Sequence, residues 1–433
     1  MKFYSTNNRS HSLGFGAAVE KGLAADNGLY FPETIPTLSS DFIDNLHTFS
    51  KEEIGVEVMR HFTSEDISDE ELKRIVRETL DFDFPLKEVS KDVFSLELFH
   101  GPTMAFKDVG ARFMSRSLRA LAEERESVVL VATSGDTGSA VANGFYKIPG
   151  IRVVLLYPSG KISHIQEMQL TTLGENITAI EVDGVFDDCQ ALVKQAFLDE
   201  ELNKKLALTS ANSINIARWL PQSIYYFLAV AEARRQGFEE VVFSVPSGNF
   251  GNITAGMIGA KMGLPVKKFI AATNMNKIVP DYLTSGVYSP VASVPTISNA
   301  MDVGAPSNFV RLTEMYGNSH EDIALDLEGY YLTDEQTKQV MKRCYEENEY
   351  ILDPHGAIAY DALLKSGLAN DKTCGIFLET AHPAKFKDVV DDALGIKFPL
   401  PEKLKEIVSK EKVSIKMENN YGDFKAFLSE SYK

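Results

Sequence analysis

A lysine delivered to the start of a helix by a glycine–proline turn is a candidate for amine chemistry, and the run His100-Gly101-Pro102-Thr103-Met104-Ala105-Phe106-Lys107-Asp108 places Lys107 there. The turn bends the chain, and the spacing of Arg112, Met114, Leu118 and Leu121 continues as a helix with Lys107 in its first turn. The positive end of a helix dipole disfavours a cation and so lowers the cost of the neutral amine. That form condenses with an aldehyde cofactor. The same residues also fit an ordinary solvated lysine, the commoner fate of this side chain. Apolar Met104, Ala105 and Phe106 favour the buried alternative.

Two glycine-rich turns could receive anions. Ser134-Gly135-Asp136-Thr137-Gly138 follows an apolar run and opens a helix, so backbone N–H groups with the hydroxyls of Ser134 and Thr137 form a receptor for a carboxylate or phosphate. A tight connection, with glycines at positive φ and Asp136 as an N-cap, explains the same pattern. Pro246-Ser247-Gly248-Asn249-Phe250-Gly251-Asn252 repeats the arrangement. Its glycines let an anion approach the backbone while Ser247 and the asparagines supply neutral donors, so a phosphate needs no cation there. It is equally a common strand–turn–helix connection. Neither the dinucleotide fingerprint nor the Walker pattern is matched, because Leu155 stands where the first glycine before Gly160-Lys161 would belong.

Two further clusters carry polar groups. Arg218, three residues beyond Asn215 in a segment containing Asn212 and Ser213, could present a forked donor to phosphate, with Ser159 and Lys161 adding to it from a neighbouring loop. Pairing of Arg218 at a helix end fits the spacing too. An apolar run at 375–378 delivers Thr380 and His382, and ligands bind beyond the carboxyl ends of strands in open α/β sheets. His355 and the segment 299–308 read either as site lining or as loop turns.

These groups need elements to position them. Apolar runs at 128–132, 153–157, 177–182, 241–245, 269–273 and 375–378 have the continuous Val/Ile/Leu character of strands covered on both faces. Helical patterns at 139–146, 165–173, 218–235 and 253–262 follow turn residues, which predicts open, mostly parallel α/β sheets. Residues 1–90 lack such runs and carry amphipathic segments at 51–62 and 69–80, a mainly helical N-terminal unit. Thr333 and Gln336 form a capping-box pattern ahead of Val340 and Met341.

The chain has 433 residues, 44% of them hydrophobic, enough for more than one cored domain. Its formal charge of -17, from 61 acidic and 44 basic residues, argues against nucleic acid or an anionic membrane as partner. Cys189, Cys344 and Cys374 suggest neither a disulfide framework nor a thiolate metal site, and cytoplasm is the expected setting. The first nine residues turn polar too early for a secretory signal. The uncharged stretch 241–260 has membrane-spanning length but contains Pro246, Asn249, Asn252 and several glycines, and reads as strand, loop and helix.

Taken in order, these segments resemble the pyridoxal-phosphate enzymes of the tryptophan-synthase-β fold type, and most closely the threonine synthase family in its longer bacterial and fungal form. Phe3-Tyr4-Ser5-Thr6, Gly101 to Asp108, Ser134 to Gly138 and Thr380-Ala381-His382-Pro383-Ala384-Lys385-Phe386 carry the likeness. It implies two α/β sheet domains, residues 91–122 with 211–433 holding the cofactor and 123–210 holding the substrate, beyond an N-terminal domain of residues 1–90. It implies pyridoxal phosphate bound to Lys107, its phosphate cradled by Ser247, Gly248, Asn249, Phe250, Gly251 and Asn252, and Thr380 facing the ring nitrogen. Many relatives carry asparagine where this chain has Asp136, and an aspartate beside the phenolic oxygen would set two anions together.

The substrate implied is O-phospho-L-homoserine, converted with water to L-threonine and phosphate by a monomer or homodimer. Ser134, Gly135, Thr137 and Gly138 would receive its carboxylate, and Ser159, Lys161, Asn212, Ser213 and Arg218 its phosphate. Sister activities on this fold, a serine or threonine dehydratase or a cysteine synthase, need no second phosphate pocket. A non-catalytic phosphate- or amino-acid-binding protein is the alternative from another class, and an intact Lys107 speaks against it.

Overall fold

The computed structural model describes residues 1–121 and 126–432. Two sheets organise it, and the apolar runs supply the inner strands of both except Val93–Glu97. The larger has the spatial order Leu327–Tyr331, Val266–Thr273, Glu240–Pro246, Thr373–Glu379, Val93–Glu97 and Leu86–Ser90. Every neighbouring pair is parallel except the edge pair Leu86–Ser90 with Val93–Glu97. The smaller runs Ile415–Glu418, Ile177–Asp183, Ile151–Pro158, Ser127–Ala132 and Ala207–Ser210, parallel throughout. Parallel strands need crossovers and helices on both faces, which is why the central strands bury almost every side chain. The uncharged stretch at 241–260 folds as the expected strand, turn and helix, the helix being Gly251–Lys261.

Most expected helices form within a few residues of their places: Asp136–Phe145, His164–Thr171, Lys51–Thr63 and Asp69–Thr79. The exception is 218–235. Pro221 has no N–H to donate, and the segment divides into Ile216–Trp219, a 3-10 turn at Leu220–Gln222, and Ser223–Arg235. Thr333 caps as expected, accepting from the Gln336 N–H while the Gln336 side chain accepts from the Thr333 N–H.

The N-terminal unit has the expected helices and also a small antiparallel sheet, in which Lys2–Ser5 lies between Asn8–Gly14 and Tyr30–Pro32. Strand pairing draws two limits differently from the expected division. Leu86–Ser90 belongs to the larger sheet rather than to the N-terminal unit. The end of the expected larger domain, from Ile415 on, returns to the smaller sheet: Ile415–Glu418 pairs with Ile177–Asp183, and Phe424 and Leu428 are buried with Cys189 and Leu192. Burial of those two side chains draws the tail across. The expected limit at 122/123 lies outside the described residues.

Candidate active site

The helix Lys107–Leu121 begins at Lys107 itself. The turn before it is fixed by Asp108, whose carboxylate accepts from the Thr103 N–H at 2.9 Å and the Thr103 hydroxyl at 2.6 Å. Lys107 is half-buried and opens onto a cavity of about 1010 Å³. Burial pulls its pKa down from 10.5 to about 8; the Asp136 charge opposes this, and Arg218 and Lys385 reinforce it. The amine is thus much closer to its neutral, nucleophilic form than a surface lysine is.

Gly248, Asn249, Phe250, Gly251 and Asn252 line the same cavity. Among the described residues none of their five N–H groups donates to a protein acceptor, so the N-terminus of Gly251–Lys261 offers a row of free donors. Phe250 takes the left-handed conformation, φ 61°, to turn them. A Cβ at Gly248 would lie 2.7 Å from the Ala300 carbonyl oxygen and 2.7 Å from Met301 Cα, so only glycine fits. The side chains play another part than expected. Asn249 accepts from Ser307 N–H and hydroxyl, Asn252 donates to the Pro246 carbonyl, and Ser247, which does not reach the cavity, donates to the Val245 carbonyl. They brace the turn, and the backbone supplies the donors. A phosphate needs such donors, an aldehyde needs such an amine, and Thr380 also lines the cavity with a hydroxyl that has no partner among the described residues. The donor set fits pyridoxal phosphate.

In the 134–138 loop, Ser134 and Thr137 line the cavity. Gly135 and Gly138 do not, and both N–H groups are taken by the Thr133 hydroxyl, at 3.0 and 2.8 Å. Gly135 serves conformation, with φ +136°, whereas Gly138, which is not at positive φ, serves close packing: a Cβ there would lie 2.5 Å from Thr133 Cγ2. Asp136 is the first residue of its helix and caps nothing. It lies behind the cavity wall, its Oδ1 2.7 Å from Lys385 Nζ and 3.0 Å from Gln166 Nε2, and these partners with Lys107 hold its carboxyl well below the usual range although burial opposes them.

Of the expected second anion site, Asn212, Ser213 and Arg218 line the cavity. Arg218 is buried, donates to the Ala211 carbonyl, and has no carboxylate partner among the described residues; its Nε is unpartnered. Burial lowers its pKa to about 10, partly offset by Asp108. Ser159 and Lys161 are not brought to the cavity. Ser159 donates to Glu181 at 2.6 Å, and Lys161 is exposed. His382 does not line it either; its Nδ1 accepts from the Ala384 N–H, capping the turn Pro383–Phe386. His355 does, with Ala300, Met301, Val303 and Ser307. Its Nδ1 lies 2.6 Å from Asp353, which leaves Nε2 to accept from the Ala300 N–H at 3.3 Å.

Sequence reasoning missed two groups. The N-terminal unit walls the cavity with Thr6, Asn7, Lys21 and Asn27, and it is tied to the site: Val19 O accepts from Asn215, and Tyr30 O accepts from Arg311, which also donates to the Ser213 and Ile214 carbonyls. No local signal in the sequence marks these. The second is Lys385, whose burial beside Asp136 could be suspected only from its place in the 380–386 block.

A lysine at a helix mouth, a row of free backbone donors and two mostly parallel sheets fit a pyridoxal-phosphate enzyme of the tryptophan-synthase-β fold type, and residues 82–379 match the family described as pyridoxal-phosphate dependent enzyme. Maize serine racemase shares the fold, with a TM-score of 0.52 at 15% identity over 73% of this chain and 93% of that one. The chain belongs to the threonine synthase family: residues 2–80 and 356–428 match its N-terminal and C-terminal models. Threonine synthase from Haemophilus influenzae is 45% identical over 431 residues, 100% of both chains. The crystal structure of the Escherichia coli threonine synthase superposes with a TM-score of 0.93 at 43% identity, covering 100% of both chains. That of Brucella melitensis, described as PLP bound, superposes at 0.92 with 34% identity, also covering 100% of both.

Proposed function

We propose that this protein binds pyridoxal phosphate through Lys107 and converts O-phospho-L-homoserine and water to L-threonine and phosphate. The observation that carries the reading is one cavity holding a lysine of lowered proton affinity, a cation-free row of N–H donors at 248–252, and a separate buried arginine without a carboxylate partner. When bound, the cofactor supplies an electron sink for the charge left on deprotonating the amino acid. Lys107, in its neutral form, takes the α-proton and moves protons along the carbon chain. Ser134 and Thr137 hold the substrate carboxylate. Arg218, with Asn212 and Ser213, holds the phosphate that leaves, and the guanidinium fork suits that geometry. Thr380 faces the ring nitrogen; a hydroxyl there stabilises a protonated ring less than a carboxylate would.

The larger sheet therefore carries the cofactor and the smaller the substrate carboxylate. The test is chemical. Purified enzyme is expected to release equimolar phosphate and threonine from O-phospho-L-homoserine, and borohydride reduction followed by peptide mapping is expected to place a pyridoxyl group on Lys107. Lys107→Ala should lose on the order of 10²–10⁴-fold in kcat. Undiminished turnover in that variant, or faster formation of pyruvate or 2-oxobutanoate from serine or threonine, refutes the assignment.

A further inference from the structure

Lys385 is wholly buried, yet neither cofactor nor substrate binding gives it a task. Its Nζ lies 2.7 Å from Asp136 Oδ1 and donates to the Thr103 carbonyl at 3.0 Å. Three separate stretches meet there. Lys385 comes from the turn that follows the larger sheet's central strand, Asp136 from the first turn of a helix on the smaller sheet, and Thr103 from the turn that introduces Lys107. Gln166 Nε2 donates to the same Asp136 oxygen at 3.0 Å, so the carboxylate is fixed from both sheets. The charged groups that act on the Lys107 amine are Asp136, Arg218 and Lys385, and its chain neighbour Asp108 is occupied by Thr103.

We propose that Lys385 and Asp136 work as one unit that tunes the Lys107 amine, with Lys385 as the positioning residue that cancels the aspartate charge. A lone buried carboxylate beside Lys107 would keep the amine protonated and unreactive. A lone buried cation would strip its proton but repel any positive charge arising on that nitrogen. Paired, the two present a dipole, and the hydrogen bonds orient it. The pairing also answers why aspartate is tolerated near the place where a phenolic oxygen would come: its counter-charge is built in.

The inference rests on Lys107 being the cofactor lysine, which Lys107→Ala and peptide mapping test independently. Its own test is spectroscopic and has opposite signs for its two members. In the cofactor-loaded full chain, the pH midpoint of the visible absorbance reports the proton on the Lys107 nitrogen. Lys385→Met is expected to raise that midpoint by on the order of one unit, because Asp136 is left uncompensated. Asp136→Asn is expected to lower it, because only cations remain. The double variant D136N/K385M should return close to the parent value. For any variant that fails to retain cofactor, the proton on the free Lys107 amine is read instead, as the pH dependence of Lys107 acetylation in cofactor-free variant and parent alike, with shifts of the same signs expected. Shifts of the same sign in the two single variants, or a double variant no different from Asp136→Asn, overturn the proposal. If Lys385→Met does not fold, an Asp136→Asn midpoint that fails to fall, or a double variant matching Asp136→Asn, decides against it.

Discussion

Replacing Gly248 with alanine should weaken cofactor binding without unfolding the protein. Gly248 is not in the left-handed region, so alanine meets no backbone penalty there and the cost is steric alone. Its Cβ would stand 2.7 Å from both the Ala300 carbonyl oxygen and Met301 Cα, and backbone atoms cannot rotate aside. The opposing turn is held in turn: Met301 N–H donates to Ser298 O, and Ala300 N–H to His355, itself fixed by Asp353. The cradle is the side that must yield. Overpacking of this kind costs about 1–3 kcal/mol. If the displacement falls on the 248–252 donors, the cofactor dissociation constant should rise roughly 5- to 150-fold. Titration of cofactor-free protein by visible absorbance measures it, with a melting curve of the same protein as control. A dissociation constant within twofold of the parent would show that the turn at Ala300 gives way instead, and the reasoning fails.

Two other perturbations follow from buried charge. Arg218→Met removes an unpaired buried cation, so the cofactor-free chain should melt at a higher temperature while KM for O-phospho-L-homoserine rises about tenfold or more; an unchanged KM would remove Arg218 from the substrate phosphate site. His382 is held near pKa 4 by burial, below its unfolded value of 6.5, so the unfolded chain binds the extra proton and stability is lost as pH falls through that window, by about 3 kcal/mol at most. His382→Asn keeps an acceptor for the Ala384 N–H but cannot titrate, and its melting temperature should fall less between pH 6.5 and 4.5 than the parent's; equal losses would assign the acid sensitivity elsewhere.

The strands that were legible are buried on both faces and carry an unbroken apolar run, as Ser127–Ala132 and Glu240–Pro246 do; Val93–Glu97 is just as buried, but Ser95 and Glu97 interrupt its run and hid it. Ala207–Ser210, Leu327–Tyr331 and Ile415–Glu418 were not legible. They are edge strands of 4, 5 and 4 residues, too short for an apolar run to stand out. The break at Pro221 shows the opposite limit: the apolar periodicity ran through a residue whose missing N–H overrode it.

At the site, glycine patterns located the two turns that reach the cavity but misassigned their donors. Side chains that look like ligands in a sequence, Ser247, Asn249 and Asn252, are spent on holding the turn, and the N–H groups every residue possesses are the donors left free. Gly135 and Gly138 were marked for the same reason, yet Thr133 takes their N–H groups. A sequence shows which residues permit a conformation, not which donors remain free once it forms. The same limit hid Lys385: its type and position were in view, but its force comes from an aspartate about 250 places earlier that only the packing of the two sheets brings to 2.7 Å. What the fold adds to the sequence is therefore mainly cancellation: it decides which charges and donors are used up internally, and leaves Lys107, the 248–252 amides and Arg218 as the ones with something left to offer a ligand.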